Sequence, residues 1–551
     1  MPLPLLGATL LLGFFVFCDL AFYRDYFLHG DEPAFVGATL ESPASWFTRG
    51  YLNYFDIYPE WGTAHTSPFL KPVTNAVGYL NYVLFGNSYA MHFAVFFLMQ
   101  FAGLLVFIRV LRDLAIPPLA AGFMSLLFLF NPAFMNNGLT CIACHYDVLS
   151  GVFTLAAFLA TWRERYGIAI LLLTLAVFTK ESAVFAPLAA ALSVLIWRRP
   201  PITGALLVLP LPLWAAARFL AYGDVLGIGL AMPLGQQIAT GFSIWPTGLV
   251  PFDFFARLGE SLPSSRYEIL SAMFLVANII LWAVLGYAAL IEVRRQIDAP
   301  ERAGLTTALL VWTLGALSFG VLVGNGPNYG GSIYPFLYLF LAAFFFSPAY
   351  RVPRWAALGI VLVFSAATVV QASRTVRLHF AWQADTALER AMYDALSALP
   401  QDGRTVYVVN APRGLASAPR HLNRAWSLNL DIVIINQFSG CTISADPGST
   451  QLLDSSADLI SIRIPDCAAF NFGAATPAVL TNQSGVALKR DGIGMYSFPA
   501  GSAAPGTVVP EWGTTLALQL DAKETSLTVI GYNWQSGVYE VISPRNTIDP
   551  V

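Results

Sequence analysis

Long apolar stretches recur from residue 3 to residue 373, separated by polar breaks that are mostly short and long at 23–88 and 221–267. A bilayer core takes about 20 apolar residues per helix, fewer where a helix is buried in a bundle. About eleven stretches fit that description: 3–22, 89–111, 117–132, 147–162, 167–179, 182–197, 202–220, 268–291, 304–324, 333–347 and 355–373. The first has no basic start and no small-x-small cleavage site, and Val16-Phe17-Cys18 makes a poor lipobox, so it reads as a retained anchor helix. From Arg374 the pattern changes. Charges return at ordinary density, residues 383–399 carry a helical period, and apolar runs shrink to strand length, as in Thr405-Val-Tyr-Val-Val-Asn and Asp431-Ile-Val-Ile-Ile. Residues 486–543 read as short strands between Gly, Ser and Pro. The pattern therefore predicts an α-helical polytopic membrane domain over 1–373 and a soluble α/β domain over 374–551.

Composition removes most other classes. Of 551 residues 56% are hydrophobic and 11% charged, against roughly a quarter charged in an average soluble domain. A net charge of −3 provides no field to hold nucleic acid. Charge distribution then orients the chain. Arg109/Arg112, Arg163/Arg165, Arg198/Arg199, Arg294/Arg295/Arg302 and Arg351/Arg354 all fall on one side of the eleven spans, which places that side in the cytoplasm. The N-terminus is then cytoplasmic. Loop 23–88, loop 133–146, loop 221–267, the turn 324–332 and the C-terminal domain face outward, which in a bacterial inner (plasma) membrane is the periplasm. Five cysteines are too few for a disulfide scaffold; Cys441 and Cys467, in the outward domain, are the pair available to an oxidising compartment.

Candidate chemistry gathers near the outward ends of the spans. Asp31 and Glu32 are adjacent carboxylates just beyond the first span, and their side chains point apart. His65 and Lys71 follow in the same loop, and His92 opens the second span. Lys180-Glu181 interrupts two short apolar runs, and charge at such a depth is costly enough to mark function. Cys141-Ile-Ala-Cys144-His145 matches the C-x-x-C-H pattern of haem attachment. Haem is rejected, because a lone haem in so large a bundle has no evident electron partner and the segment has a better identity.

That identity comes from Asp147-Val-Leu after His145-Tyr146, which resembles the Arg-Ala-Asp-Leu-Leu element of the GT-C superfamily of membrane glycosyltransferases, in the branch of the protein O-mannosyltransferases and their bacterial relatives. His65 through Pro72 resembles the branch's His-x-Ser-x-Arg-Pro-Leu, with Lys71 in place of arginine. Leu84-Phe-Gly86 to His92 resembles its Leu-Phe-Gly…Gly-Tyr-His, and Thr179-Lys180-Glu181-Ser182 its Ser-Lys-Glu-Thr. Asp31-Glu32 takes the place of the acidic pair in the first external loop. These elements stand in register across residues 31–190. His145 departs from the usual arginine, and Gly330-Gly-Ser-Ile-Tyr-Pro matches the later Arg-Tyr-Leu-Tyr-Leu-Pro only loosely.

The resemblance implies an enzyme that moves a sugar from a polyprenyl-phosphate carrier to a lipid, glycan or protein acceptor at the outer face, inverting the anomeric carbon. Phosphate leaves well without protonation, so one base suffices; Asp31 and Glu32 are the catalytic candidates, with Asp31 taken as the base and Glu32 as the alternative. Lys71, Lys180 and Arg218 are candidates to hold the donor phosphate, with Asp147, His65, His92, His145 and Glu181 supporting them. Carboxylate oxygens at Asp147 suit Mg²⁺ or Mn²⁺, so a divalent metal stays open as a cofactor. The competing readings are a lipid-diphosphate-dependent polymerase or ligase of O-antigen type, and a polytopic transporter.

Overall fold

The structure, a computed structural model, describes residues 13, 28, 32–40, 70–131, 142, 145–222, 264–298, 304–323, 331–347, 350, 352–409 and 419–434, and nine further strands given below. The first expected span, the loop cysteines Cys141 and Cys144, and the pair Cys441 and Cys467 lie outside the described residues. The chain divides into two compact units, one holding the described residues from Leu70 to His379, the other Leu28 to Leu40 and those after Phe380.

Helix α1, Glu32–Thr39, belongs to the second unit. The first unit opens with α2 (Pro72–Phe85) and α3 (Tyr89–Asp113), followed by α4 (Pro118–Leu129), α5 (His145–Trp162) and α6 (Tyr166–Thr179). A single turn of 3₁₀ helix, Glu181–Ala183, leads into α7 (Phe185–Ile196), and α8 (Pro201–Val208) and α9 (Pro210–Tyr222) complete this run. Then come α10 (Ser264–Asp298), α11 (Leu305–Val323), α12 (Tyr334–Phe346) and α13 (Arg354–Ala398). Helix therefore lies over ten of the eleven segments that the apolar pattern marks. Tyr89–Asp113 and Pro201–Leu220 are long and apolar enough to cross a membrane by length and composition, and seven more apolar helices are shorter.

Three of the arginine-bearing turns are built alike. After α3, α5 and α7 the chain enters the left-handed region at Ala115, Glu164 and Arg198, with φ of 55°, 57° and 56°. Each turn closes with an amide reaching back five residues, from Ile116 to the Leu111 carbonyl, Arg165 to Ala160 and Arg199 to Val194. That closure satisfies carbonyls which a helix end leaves open. Arg163 bonds Asp113 at 2.6 Å and Arg199 pairs with Glu164, so the three turns lie side by side. Asp147 and Lys180, at the other ends of α5 and α6, are thereby held together at the opposite end of the bundle.

Side chains facing out from this unit are large and apolar. Leu84, Leu98, Leu119, Leu171, Ile279, Leu290 and Leu362 are each more than half exposed. Exposed apolar area on that scale marks a surface for lipid or for a protein partner.

The second unit mixes helix and strand. Strand β1 (Thr405–Val409), helix α14 (Pro419–Ala425) and β2 (Asp431–Ile434) form a parallel crossover. Further strands are β3 (Gln451–Ser455), β4 (Leu459–Arg463), β5 (Val479–Thr481), β6 (Ala487–Asp491), β7 (Met495–Phe498), β8 (Gly506–Val508), β9 (Thr515–Gln519), β10 (Thr528–Asn533) and β11 (Val538–Val541). They make three sheets, ordered β11-β10-β1-β2, β3-β4-β9 and β5-β6-β7-β8. In the first, β1 runs parallel to both neighbours and β11 is antiparallel to β10. Val406, Val408, Ile432 and Ile530 are buried at alternate positions, which fixes its register.

Candidate functional site

Five charged side chains are buried together within the first unit. Lys71 caps the start of α2, Asp147 sits in the first turn of α5, Lys180 and Glu181 form the break between α6 and α7, and Arg218 lies on α9. None is more than 7% exposed. Their backbones are gathered by apolar packing: Leu70, next to Lys71, shares a cluster with Ala176, Val177, Ala183 and Trp214. The Thr74 hydroxyl donates to the Thr179 carbonyl at 2.8 Å and ties α2 to the end of α6.

The break at Lys180 has a local cause. Pro187, third in α7, cannot donate to a helical ladder and crowds the carbonyl four residues before it, so one helix cannot run through 179–187. The chain yields at Lys180, which is extended with φ −154° and ψ 134°, and α6 ends there with the Lys180 amide on the Ala176 carbonyl. Two charged side chains leave the helix axis at that point.

Opposite charges face one another across the elements. Lys180 Nζ lies 3.5 Å from Asp147 Oδ1, and Arg218 Nη1 lies 4.0 Å from Glu181 Oε1. Arg218 also stands over the Trp214 ring, 5.7 Å from its centre. Lys71 is placed among Lys180, Glu181 and Asp147; burial first, and then the positive charge of Lys180, lower its pKa to about 7. Among the described residues, three basic side chains and two carboxylates meet here.

A close approach of two backbones frames the cluster. A Cβ on Gly331 would come 2.1 Å from the Asp147 carbonyl oxygen, and one on Gly151 would come 2.2 Å from the Gly331 carbonyl oxygen. Only glycine fits at either place. The Ser332 hydroxyl then donates to the Ser182 hydroxyl at 3.0 Å, joining the start of α12 to the break beside Glu181. Gly331 and Ser332 of the segment Gly330-Gly-Ser-Ile-Tyr-Pro thus reach the elements that carry the cluster, and Tyr334 is fully buried.

The other candidates fall elsewhere. His92 donates from Nε2 to the Gly86 carbonyl at 2.9 Å and sits among Tyr82, Phe85 and Tyr89, holding the turn from α2 to α3. His145 stacks on Phe96 with ring centres 4.2 Å apart and meets the edge of Phe93. Glu32 is buried in the second unit, where α1 packs on α14. Asp31 and His65 lie outside the described residues. Among the described residues no three His, Cys, Asp or Glu side chains gather as a metal site. Asp147 and Glu181 each face a cation.

The sequence reading passes over Asn75 and Gly151, and it takes in Gly331, Ser182 and Ser332 only as parts of motifs, without a role. A four-residue step from Lys71 to Asn75 and the double glycine at 330–331 were the available signals.

No protein-family model and no curated protein matches the chain. Among solved structures, the chain is similar to ArnT from Cupriavidus metallidurans in the apo state, at 14% identity and a TM-score of 0.33, over 77% of this chain and 85% of that one. The same protein bound to undecaprenyl phosphate gives the same identity and TM-score, over 77% and 86%.

Proposed function

We propose that this chain is an integral membrane glycosyltransferase of GT-C type, taking a sugar from a polyprenyl-phosphate donor and inverting its anomeric carbon on transfer. The buried cluster of Lys71, Lys180 and Arg218 with Asp147 and Glu181 carries this reading. Ions in an apolar bundle cost several kcal/mol each after relaxation, so a fold that needed only packing would replace them with apolar residues. Basic side chains gathered in one buried place suit the singly charged phosphodiester of such a donor.

The reaction asks little else of the protein. An acceptor oxygen attacks the anomeric carbon opposite the phosphate, and its proton passes to a carboxylate, which we assign to Asp31. The bond from that carbon to the phosphate oxygen breaks, and its electron pair stays on the polyprenyl phosphate. Negative charge grows on that phosphate at the transition state, and fixed cations in a site poor in water lower the barrier there. Lysine acts as a point charge where the guanidinium of Arg218 can contact two oxygens. Asp147 and Glu181 hold Lys180 and Arg218 in place between turnovers.

The accompanying topology is the one the arginines give, with the N-terminus in the cytoplasm and residues 374–551 outside, and the second unit is assigned to the acceptor. The test is to incubate the purified chain in lipid nanodiscs with a panel of undecaprenyl-phosphate sugars and follow release of undecaprenyl phosphate. One donor should turn over, and Asp31→Asn should lower its turnover by at least 100-fold with folding retained. Full turnover in Asp31→Asn would remove Asp31 as the base, and no binding or turnover of any donor would overturn the reading.

A further inference from the structure

Asn75 stands out among the polar residues of the first unit. It is 2% exposed, and its side-chain oxygen has no hydrogen-bond partner among the described residues. A buried amide oxygen left unsatisfied forfeits its bond to water without replacement, and native folds carry few of them. Because an amide turns end for end, the same place offers either an acceptor or a donor pair.

Its position tells what would fill that vacancy in bonding. The Asn75 amide bonds the Lys71 carbonyl at 3.0 Å, so the two residues stand one helical turn apart. Residues four apart on a helix share a face, and both are buried while Ala76, Leu80 and Leu84 on the other side are exposed. The neighbouring Thr74 is bonded to the Thr179 carbonyl. Asn75 is thereby fixed about 6 Å of helix rise beyond Lys71, beside the charged cluster but carrying no charge. A neutral group with two donors and an acceptor suits hydroxyls or an amide of a sugar, and adds nothing to phosphate binding.

We propose that Asn75 is a specificity-determining residue that hydrogen-bonds the sugar carried by the phosphate lipid. This rests on the function proposed above. It makes Asn75 a contact whose loss is felt by the sugar alone.

The experiment measures affinity of the full chain in nanodiscs for undecaprenyl phosphate and for a panel of undecaprenyl-phosphate sugars, in wild type, Asn75→Leu and Asn75→Gln. The sugar lipid that wild type binds tightest should lose about five- to tenfold in affinity in Asn75→Leu, the size of one neutral hydrogen bond, while undecaprenyl phosphate binds unchanged. Leucine also removes an uncompensated buried acceptor, so the ligand-free variant should melt no lower than wild type. Asn75→Gln should reorder the panel. Equal losses for both lipids, no loss for either, or a wild type that gains nothing from any sugar would overturn the inference. A wild type that binds neither lipid would instead overturn the functional reading itself.

Discussion

At the scale of single residues, Lys71 is where charge and pH meet. Burial and the charge of Lys180 hold its pKa down to about 7, so near neutral pH about half of the free protein carries the proton. A bound phosphate anion raises that pKa, and above pH 7 binding must therefore take up a proton. Affinity for undecaprenyl phosphate should be flat below pH 6.5 and fall toward tenfold per pH unit above about 7.5. Lys71→Arg, charged at every accessible pH, should flatten the profile; a titration that stays flat in wild type would remove Lys71 from the phosphate site. The charged residues of this site were legible in the sequence because ionisable groups are rare in an apolar bundle, and Lys180-Glu181 and Asp147 interrupt it visibly. Asn75 was not, since a lone asparagine in a polar loop has no anomaly until its burial is known.

At the scale of elements, the break at Lys180 and the paired glycines do the positioning. Alanine at Gly151 or Gly331 would press a Cβ onto a backbone oxygen at 2.2 or 2.1 Å, and backbone has nowhere to give. Either substitution should cost about 1–3 kcal/mol in thermal or denaturant unfolding and weaken phosphate-lipid binding with it. Gly167→Ala, whose Cβ meets nothing within 4 Å on an exposed helical position, is the control and should stabilise by up to about 1 kcal/mol. An unchanged melting temperature in Gly331→Ala would show that the turn yields. Most helices of the first unit were legible because runs of apolar residues fix their presence. Glu32–Thr39 and Pro419–Ala425 were not, and two more helices escaped the pattern in whole or in part. Pro72–Phe85 hides in a loop because Thr74, Asn75, Gly78 and Asn81 interrupt its apolar residues. Arg354–Ala398 reads as two segments because charge returns at Arg374, yet arginine, glutamine and glutamate continue a helix as readily as leucine.

At the scale of the whole molecule, an apolar outer surface surrounds a bundle whose arginine turns gather at one end and whose buried ions gather at the other. The sheet order of the second unit was beyond sequence reasoning, since β1 pairs with a strand more than a hundred residues later, and short strands carry no signal of their partner. The central claim is that the buried ions hold a lipid phosphate. Its most direct test is the affinity of the full chain for undecaprenyl phosphate in nanodiscs, compared with a variant carrying both Asp147→Asn and Lys180→Met, which removes one positive and one negative charge together. The account predicts micromolar or tighter binding that falls at least tenfold in the variant while its melting temperature holds. Equal affinity in the two proteins would contradict it.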